Sequence, residues 1–352
     1  MSRTPIPVVV LAGFLGSGKT TLLNHLLSRR GGNRIGAIVN DFGAIEIDAM
    51  TLAGQAGSTV SLGNGCMCCA VDGSELDVYL EKLTSPSARL DVIVIEASGL
   101  AEPQELVRMI LGSENPHVMY GGLVQVVDAV EFDATRQRHP EIDRHLGIAD
   151  LVVLNKTERA SGPDLTRLHE VVGQLSPGTP VIPASYGRID PELLFECKPR
   201  AEVVGQLSFE DLHDHHEDPD HDGEPGHGGP PVHVHSAYES VDFVSPQPMN
   251  PRRLMDFLDT RPDGLYRIKG FVDFGAADPR NRYGLHAVGR FLRFTPQPWP
   301  QAEQPITQLV LIGAGVDADD LRTALDACRE TRPPQDAADE RNMWGVLRFV
   351  QQ

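Results

Sequence analysis

The chain has 352 residues, of which 41% are hydrophobic, enough for a full-sized core divided between one large and one smaller domain. No apolar run approaches the roughly 18 residues that a membrane-spanning helix needs, and the net charge of −18 argues against binding to nucleic acid, because a polyanion would be repelled. The start of the chain lacks a secretory signal pattern and its five cysteines are too few for a disulfide scaffold, so we expect a cytoplasmic protein with free thiols.

The first part of the chain alternates short apolar runs with helical patterns. The runs predicted as strands are 8–11, 35–39, 91–95, 123–127, 151–154 and 181–182. Leucines recur at helical spacing in 22–27, and a second helical pattern covers 105–110. Strands that are apolar throughout and separated by helices favour an α/β fold with a mostly parallel sheet covered by helices.

The first predicted strand leads into the sequence GFLGSGKT. It fits the phosphate-loop pattern G-x4-G-K-[ST], with Gly13, Gly18, Lys19 and Thr20 at the fixed positions. Glycines let successive backbone N–H groups face an anion, so we expect Lys19 to meet the β and γ phosphates of a nucleotide and Thr20 to complete a Mg2+ shell. The alternative is a chance strand-loop-helix turn. Lys19 is one of only five lysines, which favours the functional interpretation.

A long segment, 41–72, follows the second predicted strand and contains Cys66, Cys68 and Cys69. Their C-x-C-C spacing differs from the C-x-x-C of thiol oxidoreductases. Thiolates suit a soft or borderline ion such as Zn2+, and three of them leave a tetrahedral ion one ligand short. The spacing therefore favours a site that releases its metal over a closed structural site, with small buried thiols as the alternative.

The third predicted strand ends in the sequence VIVIEASGL. Because ligands bind at the carboxyl ends of parallel strands, we expect Glu96 to hold Mg2+ through water and the N–H of Gly99 to meet the γ phosphate, with 96–103 acting as a switch. The alternative is a strand followed by a helix cap at Ser98. That alternative accounts for the serine but not for a carboxylate after four apolar residues.

The fifth predicted strand runs into the sequence LVVLNKTE, which resembles the guanine-reading motif N-K-x-D. Asn155 is expected to face the base edge and Lys156 to cover the phosphate loop. Glu158, one methylene longer than the Asp of the motif, is expected to accept from guanine N1–H and N2–H2, donors that adenine lacks. The alternative is an ordinary strand end with solvated polar residues.

An acidic stretch, 209–236, is predicted to be an exposed linker, because 210–224 holds eight carboxylates and no Lys or Arg. It also holds seven of the thirteen histidines: His213, His215, His216, His221, His227, His233 and His235. Neutral imidazole binds Zn2+, Co2+ and Ni2+, so the stretch is interpreted either as a metal-collecting tract or as a solvated spacer.

After this stretch, strands are predicted at 238–244, 266–274, 284–294 and 307–312, and helices at 252–258 and 318–328. This order predicts a smaller α+β domain. The predicted organisation is a nucleotide-binding domain over 1–208, the linker over 209–236 and the second domain over 237–352.

The sequences GFLGSGKTT, NDFG, GCMCC, IEASGLAEP, VDA, LNKTE and YRIKGFV together resemble the CobW-like GTPases, which include zinc-regulated metalloprotein activators. The resemblance spans about 7–329 and implies a P-loop GTPase that binds zinc, cobalt or a related ion and delivers it to a client metalloprotein. It assigns metal binding to the three clustered cysteines. The residues to which it assigns phosphate binding are Gly16, Ser17, Gly18, Lys19, Thr20 and Thr21.

The chain departs from some members of that family at two extra metal ligands. Val39 and Ala44 stand where those members carry Glu, although the carboxylates of Asp41 and Glu46 lie nearby in the sequence.

Together these features predict a GTP-dependent metallochaperone. GTP and Mg2+ would order the switches, the cysteines would hold Zn2+ or Co2+, and hydrolysis would reshape the metal site beside the client. Lys19, Glu96 and Gly99 are the predicted catalytic group, and no residue stands out as a hydrolytic base. Two alternatives stay open: a kinase or synthetase with a structural zinc, and a metal store or sensor with nucleotide as an affinity switch. The sequence leaves the metal, the client and homo-oligomer formation open.

Overall fold

The computed structural model describes residues 5–29, 33–39, 59–61, 73–195, 238–300, 304–331 and 340–350. Its first sheet has seven strands in the order β3-β2-β4-β1-β5-β6-β7, and every pair is parallel. The strands are β1 (Ile6–Ala12), β2 (Ile35–Val39), β3 (Thr59–Ser61), β4 (Val92–Glu96), β5 (Val118–Asp128), β6 (Leu151–Asn155) and β7 (Val181–Pro183). The predicted parallel sheet is confirmed.

Helices cover both faces of this sheet, which is why its central strands are apolar throughout. They are α1 (Lys19–Ser28), α2 (Gly73–Thr84), α3 (Pro103–Leu111), α4 (Phe132–Arg138), α5 (Glu141–Gly147) and α6 (Gly162–Leu175). The leucine pattern of 22–27 forms the buried stripe of α1. The strand β3 was not predicted, because three residues inside a long segment carry too little periodicity to be recognised.

The second sheet has five strands in the order β11-β10-β9-β12-β8, all antiparallel. They are β8 (Glu239–Ser245), β9 (Leu265–Asp273), β10 (Asn281–Val288), β11 (Phe291–Pro298) and β12 (Thr307–Gly313). The prediction of one strand over 284–294 was wrong. Val288 pairs with Phe291 across a two-residue turn in which Gly289 has a φ of 51°, and apolar residues on both sides of this turn hide it in the sequence.

Helices α7 (Pro251–Asp259), α8 (Ala318–Asp326) and α9 (Trp344–Leu347) accompany the second sheet, which confirms the predicted α+β class. Asn250 and Asp317 cap α7 and α8 through their side chains. The predicted linker lies outside the described residues. No helix within the described ranges is long and apolar enough to cross a membrane.

The two sheets share a contact surface. Tyr266, Val288 and Ile312 of the second sheet pack into the core of the first. His286 is buried and its Nε2–H donates to the carbonyl oxygen of Tyr120 at 3.1 Å. The Tyr120 hydroxyl donates in turn to Asp150, and burial raises the pKa of both groups. The hydrogen bond from His286 thus joins the second sheet to β5 of the first.

Candidate functional site

Four strand ends bring the predicted site residues together. The strand register pairs Leu11 with Glu96 and Asp128 with Asn155, so the carboxyl ends of β1, β4, β5 and β6 lie side by side. In an open parallel sheet this edge is where ligands bind. The fold therefore brings residues that are distant in sequence together around one cleft.

The loop after β1 has the backbone of an anion cradle. Gly13, Gly16 and Gly18 have φ values of 149°, 75° and 100°, which glycine adopts far more readily than other residues. A Cβ on Gly13 would stand 2.3 Å from the carbonyl oxygen of Val126. Lys19 is buried, and its Nζ donates to the carbonyl oxygens of Gly13 and Phe14 at 3.0 and 3.3 Å, so the ammonium lies across the loop.

The strand β4 brings its terminal carboxylate to the start of α1. The Thr20 hydroxyl donates to Oε1 of Glu96 at 2.7 Å, and Glu96 is only 5% exposed. A Cβ on Gly99 would stand 2.7 Å from the backbone N of Leu15, so the segment after β4 lies against the phosphate loop. Thr20, Glu96 and Gly99 are thus brought close to the phosphate loop.

Asn155, at the end of β6, forms hydrogen bonds that hold the phosphate loop in place. The amide of Asn155 is buried: its Nδ2 donates to the carbonyl oxygen of Ser17 at 2.9 Å and its Oδ1 accepts from the N–H of Gly187 at 2.8 Å. The structure thus places this side chain between two loops instead of against an open base edge. It acts there as a positioning residue.

Lys156 lies over the phosphate loop. Its Nζ donates to the carbonyl oxygen of Gly16 and to Oδ2 of Asp128, both at 2.7 Å. Burial favours a higher pKa for Asp128, but the hydrogen bond from Lys156 and those from two backbone N–H groups outweigh it and hold the pKa below its usual value. Asp128 received no role from the sequence. Its position as the last residue of a buried strand was the available signal in the sequence.

The loop after β7 is a second element that sequence reasoning missed. The carboxylate of Glu158 is exposed and accepts from the backbone N–H of Tyr186 at 3.2 Å. Tyr186 has a φ of 55° and a side chain 64% exposed, an uncommon backbone state for an aromatic residue. The hydroxyl oxygens of Thr157 and Ser185 are 2.9 Å apart, and the hydrogen bond between them also holds this loop in place. The signal available in the sequence was that this loop follows the carboxyl end of a predicted parallel strand.

A cavity of about 270 Å3 opens beside the phosphate loop. Its walls include Phe14, Ser17, Asp128 and Lys156. The ring of Phe14 packs on His139 with centroids 4.5 Å apart. The buried Ser17 hydroxyl has no hydrogen-bond partner within the described ranges.

These residues fit a nucleotide phosphate and a Mg2+ ion. A Cβ at Gly13 or Gly18 would collide with Val126 or Asn155, the loop contains an ammonium group, and the Ser17 hydroxyl has no hydrogen-bond partner among the described residues. A hydroxyl and a carboxylate 2.7 Å apart are the oxygen ligands that Mg2+ prefers. Thr21, assigned to phosphate binding by resemblance, is exposed at the start of α1.

The predicted thiolate site at Cys66, Cys68 and Cys69 lies outside the described residues, as do Asp41, Glu46 and the histidines of 209–236. Within the ranges that are described, no group of three or more His, Cys, Asp or Glu residues could hold a metal. Cys328 is buried, its thiol contacts the carbonyl oxygens of Ala324 and Arg253, and burial raises the pKa of this thiol to about 11. A thiol in that state is inert.

Comparison with known proteins gives two family matches. Residues 7–183 match the model described as CobW/HypB/UreG, nucleotide-binding domain, and residues 238–329 match the Cobalamin synthesis protein cobW C-terminal domain. The chain is 34% identical to a protein of Pseudomonas aeruginosa named Zinc chaperone CobW, over 91% of this chain and 92% of that protein. It is 28% identical to Zinc chaperone YjiA of Escherichia coli, over 93% of this chain and 99% of that protein. It is 32% identical to Zinc-regulated GTPase metalloprotein activator 1 of Schizosaccharomyces pombe, over 53% of this chain and 47% of that protein.

Proposed function

The chain belongs to the CobW/HypB/UreG family, and from this premise we propose that it is a GTP-hydrolysing metallochaperone that binds zinc and transfers it to a client metalloprotein. GTP is the substrate in this function, and zinc is the cargo. The names of the relatives, two zinc chaperones and a GTPase metalloprotein activator, support the same activity. Cobalt is the second ion that the thiolate set would accept.

The observation that carries the proposal is the junction of the phosphate loop with β4 and β6. Lys19 lies across the loop, Thr20 is hydrogen-bonded to Glu96, and Lys156 clamps the carbonyl oxygen of Gly16. This arrangement brings a cation, an oxygen ligand pair and a glycine cradle together at one place. Preorganised charge of this kind stabilises a phosphoryl-transfer transition state without further reorganisation.

Mg2+ would be held by Thr20 and Glu96, and when bound it neutralises charge on the phosphate oxygens. Lys19 binds and orients the β and γ phosphates. Asn155 and Lys156 keep the loop in register with the strand ends, and the backbone N–H of Gly99 lies near enough to the loop to report the state of the γ phosphate. Hydrolysis without a protein base in this set would be slow until a partner supplies one.

The metal-binding part of the proposal depends on Cys66, Cys68 and Cys69. They lie in the sequence segment 41–72 that joins β2 to α2, and the strand β3 within this segment pairs with β2. Since β2 also pairs with β4, which contains Glu96, the segment is attached to the strand that carries a predicted Mg2+ ligand. A change at the γ phosphate would therefore reach the cysteine segment through β4 and β2.

The decisive experiment measures metal affinity in two nucleotide states. Zn2+ is titrated against a chromogenic chelator with GDP bound and with a non-hydrolysable GTP analogue bound. We expect affinities that differ about tenfold, equal to about 1.4 kcal/mol, and by linkage Zn2+ must change the preference for GTP over GDP by the same factor. Equal affinities in both states would rule out the delivery mechanism.

Cysteine variants supply the matched controls. Cys68→Ser should lose the tight site and the dependence on nucleotide. Cys328→Ser should keep both, because Cys328 is buried in the apolar core of the second sheet and is not part of the C-x-C-C sequence. If Cys328→Ser removes the tight site instead, the ligand assignment is incorrect.

Guanine selectivity is proposed to depend on Glu158. Glu158→Ala should weaken GTP binding much more than ATP binding, because only guanine offers two donors to a carboxylate. The control is Glu170→Ala, which removes an exposed carboxylate on α6 and should change neither GTP binding nor ATP binding. Equal losses for GTP and ATP would favour a kinase-like nucleotide site.

A further inference from the structure

A second cavity lies where the two sheets meet, at the opposite end of β5 from Asp128. Its volume is about 290 Å3, near the lower end of the range for small-molecule sites. One wall is the last turn of α3 and the start of β5, with Ile110 and Met119. The other wall is β11 and the end of the chain, with Phe291 and Phe349. The cavity is thus built by both sheets.

The charged side chains on its walls are both cationic. They are Arg293 and Arg348, and none of the described residues that line the cavity is acidic. Neither arginine forms an ion pair within the described ranges, and the buried Nε of Arg293 has no hydrogen-bond partner there. Burial alone lowers the pKa of Arg293. The Ser113 hydroxyl, also on the wall, donates to the carboxylate of Asp77.

The strands behind this wall add positive charge. His286 is the cross-strand neighbour of both Arg293 and Lys269. Burial, followed by the charge of Arg267, lowers the pKa of His286 to about 3, so its ring is neutral and adds no charge of its own beside Arg293. In a chain with a net charge of −18, two arginines on the wall of one cavity concentrate positive charge at a place where the two sheets meet.

We propose that this cavity binds a small organic anion, in which a carboxylate or phosphate ester group is carried on an apolar body. The guanidinium group of Arg293 belongs to the cavity wall, and such planar groups recognise carboxylate and phosphate in the same forked geometry. The rings of Phe291 and Phe349 and the side chain of Met119 supply the apolar contact surface.

The position of the cavity would let an occupant influence the nucleotide site. Its wall includes the end of α3, a helix that begins at Pro103 directly after the segment 96–102 that reaches the phosphate loop. The same occupant would contact β11, so it would tie both sheets to that helix. The binding site itself does not depend on the proposed function.

The test uses the full-length protein with [methyl-13C]methionine, saturated with GDP and Mg2+ so that the phosphate loop is occupied. Met119 lines the cavity, while Met249 and Met255 in the second core serve as reference signals. The probes are benzoate and phenyl phosphate, compared with neutral benzamide and with inorganic phosphate, which lacks an apolar body. Met119→Leu assigns the reporting signal.

We expect benzoate and phenyl phosphate to shift the Met119 signal saturably, with benzamide and inorganic phosphate at least tenfold weaker. Arg293→Gln should weaken benzoate binding about tenfold or more, and Arg348→Gln should also weaken it. Arg322→Gln, an exposed arginine on α8, should leave it unchanged. Unmoved Met249 and Met255 signals in each variant verify that the fold is intact.

Three results would overturn the proposal. These are no saturable shift of Met119, equal binding of benzamide and benzoate, or unchanged benzoate affinity in a folded Arg293→Gln variant. Because Arg348 is exposed, its variant provides a second test that carries little risk of unfolding. Preference for benzoate over phenyl phosphate, or the reverse, identifies which of the two anion chemistries the site takes.

Discussion

The ion pair between Lys156 and Asp128 should stabilise the phosphate loop measurably even without nucleotide. Nζ and Oδ2 are 2.7 Å apart, and the two side chains are only 25% and 12% exposed. Hydrogen bonds to charged groups contribute about 1.5–3 kcal/mol, and solvent screens this pair less than a surface pair. Replacing Lys156 with Met also removes the bond to Gly16, so we expect a loss of about 2–3 kcal/mol in the free energy of unfolding.

A double-mutant cycle isolates the pair itself. Asp128→Asn, Lys156→Met and the double variant are unfolded with urea and followed by far-UV circular dichroism, since both tryptophans lie after residue 298 and do not report on the first sheet. The coupling energy should be about 1–2 kcal/mol. The exposed pair of Arg108 and Glu105 on α3 is the control, with about 0.3–0.5 kcal/mol expected. Additivity within about 0.5 kcal/mol at the first pair would refute the reasoning.

The coupling should also depend on pH with a defined sign. The pKa of folded Asp128 lies below its ordinary value of 3.8, so as the pH falls the unfolded chain takes up the proton first. The stabilisation is therefore complete above about pH 4 and is lost as the pH falls through the lower folded value. A coupling energy that stays constant down to pH 2 would contradict the assignment of Asp128 as the charged partner.

Three further substitutions test the nucleotide site. Lys19→Ala should weaken triphosphate binding at least tenfold, or about 1.4 kcal/mol, and leave the tight Zn2+ site intact; normal GTP hydrolysis by this variant would contradict the loop assignment. Gly13→Ala should destabilise the first sheet by about 1–3 kcal/mol, measured by urea unfolding, because its φ of 149° is strained for alanine. Thr20→Val should raise the Mg2+ concentration needed for half-maximal hydrolysis, and an unchanged Mg2+ titration would exclude Thr20 as a ligand.

The strongest sequence signals were local ones. The phosphate loop, the strand ending at Glu96 and the N-K-x-E stretch are each contiguous, so their residue order alone specifies the strand-loop-helix or strand-turn geometry that they adopt. Apolar runs separated by helices likewise predicted a parallel sheet, because a strand buried on both faces can be read from composition alone. The hairpin of β10 and β11 was not recognised from composition, since a two-residue turn at Gly289 leaves the apolar pattern almost unbroken.

What the sequence determined by itself was therefore the class of fold, the family resemblance and the loop that faces a phosphate. Only the tertiary structure decided that Asn155 joins the loop of Ser17 to that of Gly187, and that Asp128 is the partner of Lys156. Only it placed Arg293 and Arg348 around one cavity with Met119. The physical reason is that backbone patterns are encoded over a few neighbouring residues, whereas side-chain partners are chosen by strand register and sheet packing, which bring together residues more than a hundred positions apart.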